Sequence, residues 1–495
     1  MLRSMLRRRY LPVLAVLFMA QVCAEPIKLH PANPHYYLFN GRPTILITSA
    51  EHYGAVVNKD FDYVPYLDAL KSYGMNYTRI YAGAMFEPQG KFIKGNPLGP
   101  KPWSLVVPWA RSSQPGYLFG GNKFDLDKWN PEYFARLKDF ITKAGERGIV
   151  VEICFFNAQY SDTWPISPWY YENNVQGIGK SDYQDAQTLK NAELAQRESD
   201  YVAKITQEVN PYDNVILEMC DEAPDIGLPP TPLAEAGAWV DHLTDVVIHA
   251  ERDLPKKHLV AAQVEGPVGG PLDLSGKPNV SVIVTQYVWQ AGFQMGGMKA
   301  LDLEHGHNKP IEFNETDWYP VWYKGDGVAD SRVEAWEFIV GGGGSFNQLN
   351  GLFMPEDPAG KTPDNARIMS ALKNLREFMY SFDFVKMSPD RSFVISGIPS
   401  GVFCRGISET GRQYALYHHH SAYKQPGSQS SYVVAPGNYV EHLLLHLPGG
   451  TYKADWVDPA SGKVLSSETF THQGGDRIFH TPEHAVDVAL RIRRV

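Results

Sequence analysis

Between about residues 40 and 380, short β-branched and aromatic runs alternate with longer stretches in which apolar residues recur every three or four positions. The first pattern is that of buried strands and the second that of amphipathic helices, so the alternation predicts βα units around a parallel sheet. The predicted strands are Thr44–Thr48, Asn76–Tyr81, Ile149–Phe155, Asn214–Met219, His258–Gln263, Val282–Gln286, Pro310–Asn314 and Gly344–Leu349. Eight strands is the count of a closed barrel.

The helices between them carry their own start and stop signals. Asn130 precedes Pro131, and Phe134, Leu137, Ile141 and Ala144 follow on one face until Gly148 ends the run. Thr362-Pro363-Asp364 opens another, with Ile368, Leu372, Leu375 and Met379 on one face, and Ala238–Leu254 and Ser331–Val340 are helical in pattern. A doubly wound open sheet is the rival architecture, but no Gly-rich dinucleotide loop follows the first strand. Two connections exceed plain loops: Gly83 to Trp129, and Asn157 to about Gln187. Both are rich in Trp and Tyr and leave the C-terminal ends of strands, where barrel enzymes build their sites. After Pro389 the pattern becomes short strands separated by Gly, Pro and Ser: Phe393–Ser396, Gln413–His419, His442–His446, Thr451–Val457 and Val488–Ile492. The expected fold is therefore α/β, a (β/α)₈ TIM barrel over 25–388 followed by a small C-terminal β-sandwich over 389–495.

Composition narrows the function. Arg3, Arg7, Arg8 and Arg9 precede the apolar run Leu11–Ala20, and Val22-Cys23-Ala24 suits cleavage, so residues 1–24 read as a secretory signal peptide. Cys23 offers a lipoprotein alternative, which Val22 before it disfavours. A secreted or periplasmic location is expected, and no other segment is apolar enough to span a membrane. Losing the four leader arginines takes the net charge from −9 to −13, which disfavours nucleic acid and anionic lipid as partners. Cys154, Cys220 and Cys404 remain, too few for a disulfide framework. Eleven Trp and 27 Tyr, many among Gly and Pro, suit either aromatic-rich loops or a carbohydrate cleft. The oligomeric state is left open.

Two segments carry candidate chemistry. Asn214-Val-Ile-Leu-Glu-Met-Cys-Asp-Glu-Ala-Pro224 is a buried run ending in an acidic pair at the fourth strand. Lys309-Pro-Ile-Glu-Phe-Asn-Glu-Thr-Asp-Trp318 ends the seventh strand in a carboxylate. Hydrolysis of a glycosidic bond with retention requires two such carboxyl groups roughly 5 Å apart. This pairing resembles glycoside hydrolase clan A, which includes the family 5 cellulases and mannanases. The resemblance spans most of residues 35–350 and implies Glu222 as acid/base and Glu315 as nucleophile. It further implies that Arg79, in Asn76-Tyr-Thr-Arg79-Ile, supports the nucleophile and that Tyr287, in Thr285-Gln286-Tyr287, hydrogen-bonds it. Asp221 departs from the Asn usual in the clan; an ionised carboxylate cannot donate to a sugar 2-hydroxyl.

Several alternatives stay open. Glu312 is a rival nucleophile, and strand alternation forbids Glu312 and Glu315 from both facing inward without a bulge. Glu51-His52-Tyr53 follows the first strand and lines the sugar subsite or packs, with His52 the candidate for substrate binding. Trp289 and Trp318 are candidate sugar platforms, and Trp456 is expected in the core. His418-His419-His420 invites a metal reading, but neighbours in a strand point apart, so neither metal nor cofactor is expected. A carbohydrate-binding protein on a catalytically degenerate barrel is the second functional reading, and an esterase, with no Ser–His arrangement to recommend it, the third.

Overall fold

The computed structural model describes residues 25–88, 97–222, 233–263, 274–286, 288–289, 293–294, 296–316, 318–319, 326–423 and 432–495. The expected leader, Tyr287 and the side chains of Trp289 and Trp318 lie outside the described part.

The central sheet is wholly parallel. Its strands are β1 (Leu46–Ile47 and Glu51–His52), β2 (Tyr77–Tyr81), β3 (Val150–Asn157) and β4 (Val215–Asp221). They continue as β5 (Leu259–Gln263), β6 (Val282–Thr285), β7 (Ile311–Phe313 and Trp318–Tyr319) and β8 (Ser345–Phe346 and Leu349–Asn350). The last strand pairs back onto the first, Ser345 opposite Leu46 and Leu349 opposite Glu51, so the sheet closes and the open-sheet alternative falls. The (β/α)₈ expectation is borne out.

Three of the strands are interrupted, and buried amides from β8 bridge the gap in β1. Asn347 Oδ1 accepts the Ala50 N–H at 3.0 Å where β1 breaks, and Asn350 Nδ2 donates to Ser49 Oγ at 3.0 Å. An interrupted strand resets which side chains face inward. Two of the breaks lie beside Glu51 and Glu315.

Seven helices are seen among the described residues: α1 (Tyr63–Ser72), α2 (Pro131–Glu146), α3 (Ala192–Val209), α4 (Leu233–Glu251), α5 (Gly296–Glu304), α6 (Gly327–Val340) and α7 (Pro363–Met379). Their caps are those written in the sequence. Asn130 Oδ1 accepts the Glu132 N–H ahead of α2, Thr362 Oγ1 accepts the Asn365 N–H ahead of α7, and Gly148 takes φ 73° just past α2. The apolar faces read for α2 and α7 are buried against the strands. No helix among the described residues is long and apolar enough to cross a membrane.

The C-terminal region is antiparallel throughout. Its larger sheet orders Ser388–Pro389, Phe403–Glu409, Gln413–His419, Asp487–Arg494, Gly450–Val457 and Val464–His472, and its smaller sheet Val394–Ser396, His442–Leu447 and Gly475–His480. Trp456, Leu416, Leu443, Leu445 and Phe479 fill the space between them, which makes Trp456 a core residue as expected. Val464–His472 escapes sequence reading because it is largely exposed and carries little apolar alternation.

All 14 residues of α6 are buried, because the barrel covers one side and the sandwich the other. Its charged residues find partners across that junction. Arg332 grips Asp487 through two bonds of 2.8 and 3.0 Å, and Glu337 accepts from Arg405 at 3.2 Å and Tyr432 at 2.5 Å. The sandwich therefore braces the helix that leads into β8.

Candidate active site

Inward positions along the barrel strands carry an unusual number of acids. Glu51, Glu152, Glu218, Asp221, Glu222, Glu312 and Glu315 are all buried, with a single guanidinium, Arg79, in the same network among the described residues. They form layers. In the lower one, Tyr77 donates its hydroxyl to Glu312 at 2.6 Å and bonds Glu152. Above it, Arg79 forks onto Glu218 at 2.6 and 2.7 Å, reaches Asp221 at 2.8 Å and pairs with Glu51 at 2.9 Å.

The uppermost layer sits at the C-terminal ends of the strands. Asp221 accepts from Arg79, from Tyr81 Oη at 2.9 Å, from Asn157 at 3.4 Å and from Gln286 Nε2 at 2.6 Å. The same Gln286 nitrogen donates to Glu315 Oε2 at 2.7 Å, and Tyr53 Oη donates to Glu315 Oε1 at 3.1 Å. Glu222, the residue after Asp221, has its backbone N–H bound to Gln263 Oε1 at 2.5 Å and its carboxylate bonded to the Tyr160 hydroxyl. Tyr160 lies in the long connection after β3. In that connection Trp169 is fully buried, whereas Trp164, Tyr170, Tyr171 and Tyr183 line a depression of about 860 Å³ beginning at Ser161.

Backbone conformation singles out two of the acids. Among the described residues four non-glycines have positive φ: Asn40, Asn308, Glu222 at 48° and Glu315 at 45°. Asparagine tolerates the left-handed region, but a glutamate there costs on the order of 1–3 kcal/mol and persists only where its surroundings enforce it. Such strain concentrates at functional sites. Glu312 lies in ordinary strand conformation. The break after Phe313 resets strand parity, so both acids face inward, Glu312 a layer below and Glu315 at the rim.

Crowding of like charge shifts the protonation of these groups. Burial first, then the charges of Asp221, Glu51 and Glu222, push Glu315 well above the ordinary carboxylate range, with Arg79 opposing. Burial pushes Glu51 up to about 8 against Arg79, and Asp221 adds to the rise. Burial and Glu218 push Glu312 up to about 7, and burial with Glu312 holds Glu152 well above its usual value. Each rise disfavours the charged form, so these crowded acids do not all ionise together.

No protein-family model and no curated protein matches this chain. Solved structures do. A candidate glycoside hydrolase from Bacteroides vulgatus superposes with a TM-score of 0.62 at 14% identity, over 96% of this chain and 83% of its own. A glycoside hydrolase family 5 protein from the same organism gives 0.61 at 13% identity, over 95% of this chain and 94% of its own. The chain has the fold of the family 5 glycoside hydrolases. An endo-1,4-β-mannanase from Rhizomucor miehei aligns at 0.50 and 13% identity, over 72% of this chain and all of its own.

On that glycoside hydrolase fold several sequence-predicted residues take different roles. Arg79 bonds Glu218, Asp221 and Glu51 rather than Glu315, because Glu218 on the inward face of β4 occupies its fork; it reaches Glu315 only through its field. His52 stands apart from the acid layers. Its Nδ1 accepts the Gly54 N–H, its Nε2 bonds Phe353 O at 2.9 Å, and it packs on Phe61 and Tyr66. Its neighbours Glu51 and Tyr53, of opposite parity, are the ones that enter. Asp221 is an acceptor for four donors, a role in which an asparagine would turn its amide towards a guanidinium or hydroxyl. Beside the undescribed Tyr287, Gln286 holds Glu315. Tyr53 enters from the Glu51-His52-Tyr53 segment read in the sequence; Tyr81, Asn157, Tyr160, Glu218, Gln263 and Gln286 complete the cluster unforeseen, with Glu218 and Glu152 carrying a signal as acids inside otherwise apolar strands.

Proposed function

We propose that the protein is a retaining glycoside hydrolase of β-linked oligo- or polysaccharides, with Glu315 as nucleophile and Glu222 as acid/base. The observation that carries this reading is the pair of strained, buried glutamates at the rims of β4 and β7, each within the other's electrostatic reach. In the first step Glu222 gives its proton to the glycosidic oxygen while Glu315 attacks the anomeric carbon, forming a glycosyl ester as the leaving group departs. In the second, Glu222 takes a proton from water, and the water oxygen displaces Glu315 from that carbon. Gln286 and Tyr53 hold the two oxygens of Glu315 in place, and Tyr160 orients Glu222. The chemistry needs no cofactor. The expected leader fits an extracytoplasmic glycan as substrate.

β-Mannan, cellulosic glucans and aryl β-glycosides are the substrates to screen first, with product release as the readout. Wild type should release sugar and Glu315→Gln should not. Glu222→Ala should hydrolyse an aryl glycoside with a good leaving group slowly and be accelerated by azide, which attacks the glycosyl ester without needing a base. Full activity in Glu315→Gln overturns the assignment. Tight glycan binding with no product from wild type would instead identify a degenerate, binding-only barrel.

A further inference from the structure

Strand alternation separates His418 from His419, but it places His418 and His420 on the same side. His419 turns to the barrel junction, where its Nε2 lies 2.9 Å from Glu337. His418 and His420 turn the other way, towards Glu441, and His484 joins them from the segment ahead of the last strand. The triplet itself therefore shares no ion, and the partners of His418 come from elsewhere in the chain.

One donor atom from each of three buried residues, His418, His484 and Glu441, converges here, all within 4.8 Å of one another. His418 Nε2 lies 3.4 Å and His484 Nε2 3.6 Å from Glu441 Oε2. A charge-assisted hydrogen bond draws its atoms to about 2.7–2.9 Å. Two ligands about 2.0–2.1 Å from one tetrahedral ion stand about 3.3 Å apart. The observed spacings fit ligands of one ion better than hydrogen-bonded partners. The other Glu441 oxygen makes an ordinary bond, 2.8 Å from His420 Nε2, and His420 is itself held by stacking on Tyr439.

The orientation of His484 is set in advance. Its Nδ1 lies 3.1 Å from the Pro482 carbonyl, so the proton belongs on Nδ1 and the lone pair on Nε2. That Nε2 is buried and makes no hydrogen bond. A buried imidazole nitrogen aimed at a carboxylate and lacking a hydrogen bond is costly unless something else occupies the space. Backbone bonds fix the three segments: His420 N–H to Val486 O at 2.8 Å, and a reciprocal pair between Tyr439 and His484 at 3.0 and 3.1 Å.

We propose that the C-terminal sandwich contains a structural site for a divalent transition-metal cation, zinc foremost. His418, His484 and Glu441 are its protein ligands, and His420 is the residue that orients the carboxylate. Two imidazoles and a carboxylate favour zinc and its neighbours over calcium or magnesium, which prefer all-oxygen sites. The ion would add to the backbone pairing and to the Glu441 bonds with His420 and Thr481 that already join these segments, and it plays no part in glycoside cleavage.

The test uses the full chain without a polyhistidine tag, stripped with a chelator and titrated with Zn²⁺ alone, followed by calorimetry and thermal unfolding. One equivalent should bind and Tm should rise by several degrees. Co²⁺ in place of Zn²⁺ should give the visible absorption of a four-coordinate site. Glu441→Gln and His484→Asn should abolish the binding, and His420→Ala should weaken it roughly 10–100-fold. His442→Asn, in the exposed His442/His480 pair, should leave it unchanged. Absence of a Tm shift and of a Co²⁺ spectrum in the folded wild type overturns the proposal, a result that holds even if a variant fails to fold. Equal binding in His484→Asn overturns it as well.

Discussion

The barrel interior and the junction around α6 both bury charge, but they treat it differently. At the junction buried charges stand in opposite-sign pairs: Arg332 with Asp487, and Glu337 with Arg405 and His419. Burial pushes Glu337 up, yet the hydrogen bond and charge of His419, with Arg405, bring it below the ordinary carboxylate range, so it stays ionised. In the barrel, seven acids share Arg79, and Glu51, Glu152, Glu312 and Glu315 are all driven up. Balanced buried charge specifies how two surfaces meet. Surplus buried charge of one sign destabilises the fold, and it is retained where the chemistry requires it.

The largest effect should come from Glu315→Gln. Turnover on a responsive glycoside should fall by roughly three orders of magnitude or more, while a thermal scan should show Tm unchanged or higher, because a surplus acid has been neutralised. A fall in Tm would place Glu315 with the balanced charges instead. Arg332→Ala should do the reverse, costing about 3–5 kcal/mol in denaturant unfolding by stranding Asp487, with activity per folded molecule retained.

Tyr53→Phe should act between these extremes. Losing one hydrogen bond to a charged group costs about 1.5–3 kcal/mol, expected as a drop of roughly tenfold or more in kcat/KM. The lost donor favoured ionised Glu315, so the acid limb of the pH–rate profile should move to higher pH. The smallest effect lies in how stability depends on pH. Glu312 and Glu51 have folded pKa values of about 7 and about 8, above those of an unfolded carboxylate. Their contribution is therefore complete below about pH 4.3 and is lost as pH rises through 7 and 8. Glu312→Gln should flatten the decline of Tm between about pH 4.3 and 7, and an unchanged slope would show that Glu312 does not hold the proton assigned to it.

The same contrast explains what the sequence could and could not reveal. Eight strands, the capped helices and the sandwich were legible because apolar periodicity and caps are local signals. Glu222 and Glu315 stood out as carboxylates that end buried runs. Parity was harder to follow. Of Glu51-His52-Tyr53 the outer two enter the site and His52 does not, and Glu312 and Glu315 both face inward across a break that no residue announces. In the C-terminal strand, His418 and His419 were compared where His418 and His420 share a side. The break in β1 depends on the amides of Asn347 and Asn350, hundreds of residues away in the chain, so a local pattern carries no trace of it. The partners of α6 were illegible for a related reason: its charges read as a solvated face until a second domain covers them.

The central claim is that Glu315, and not its neighbour one layer below, forms the covalent bond. It is tested most directly by trapping the glycosyl-enzyme with activated 2-deoxy-2-fluoro glycosides of gluco and manno configuration and mapping the labelled peptide by mass spectrometry. The account predicts one adduct per chain, on Glu315, lost in Glu315→Gln and kept in Glu312→Gln. An adduct on Glu312, or turnover of the parent glycoside with inversion and no adduct, would contradict it.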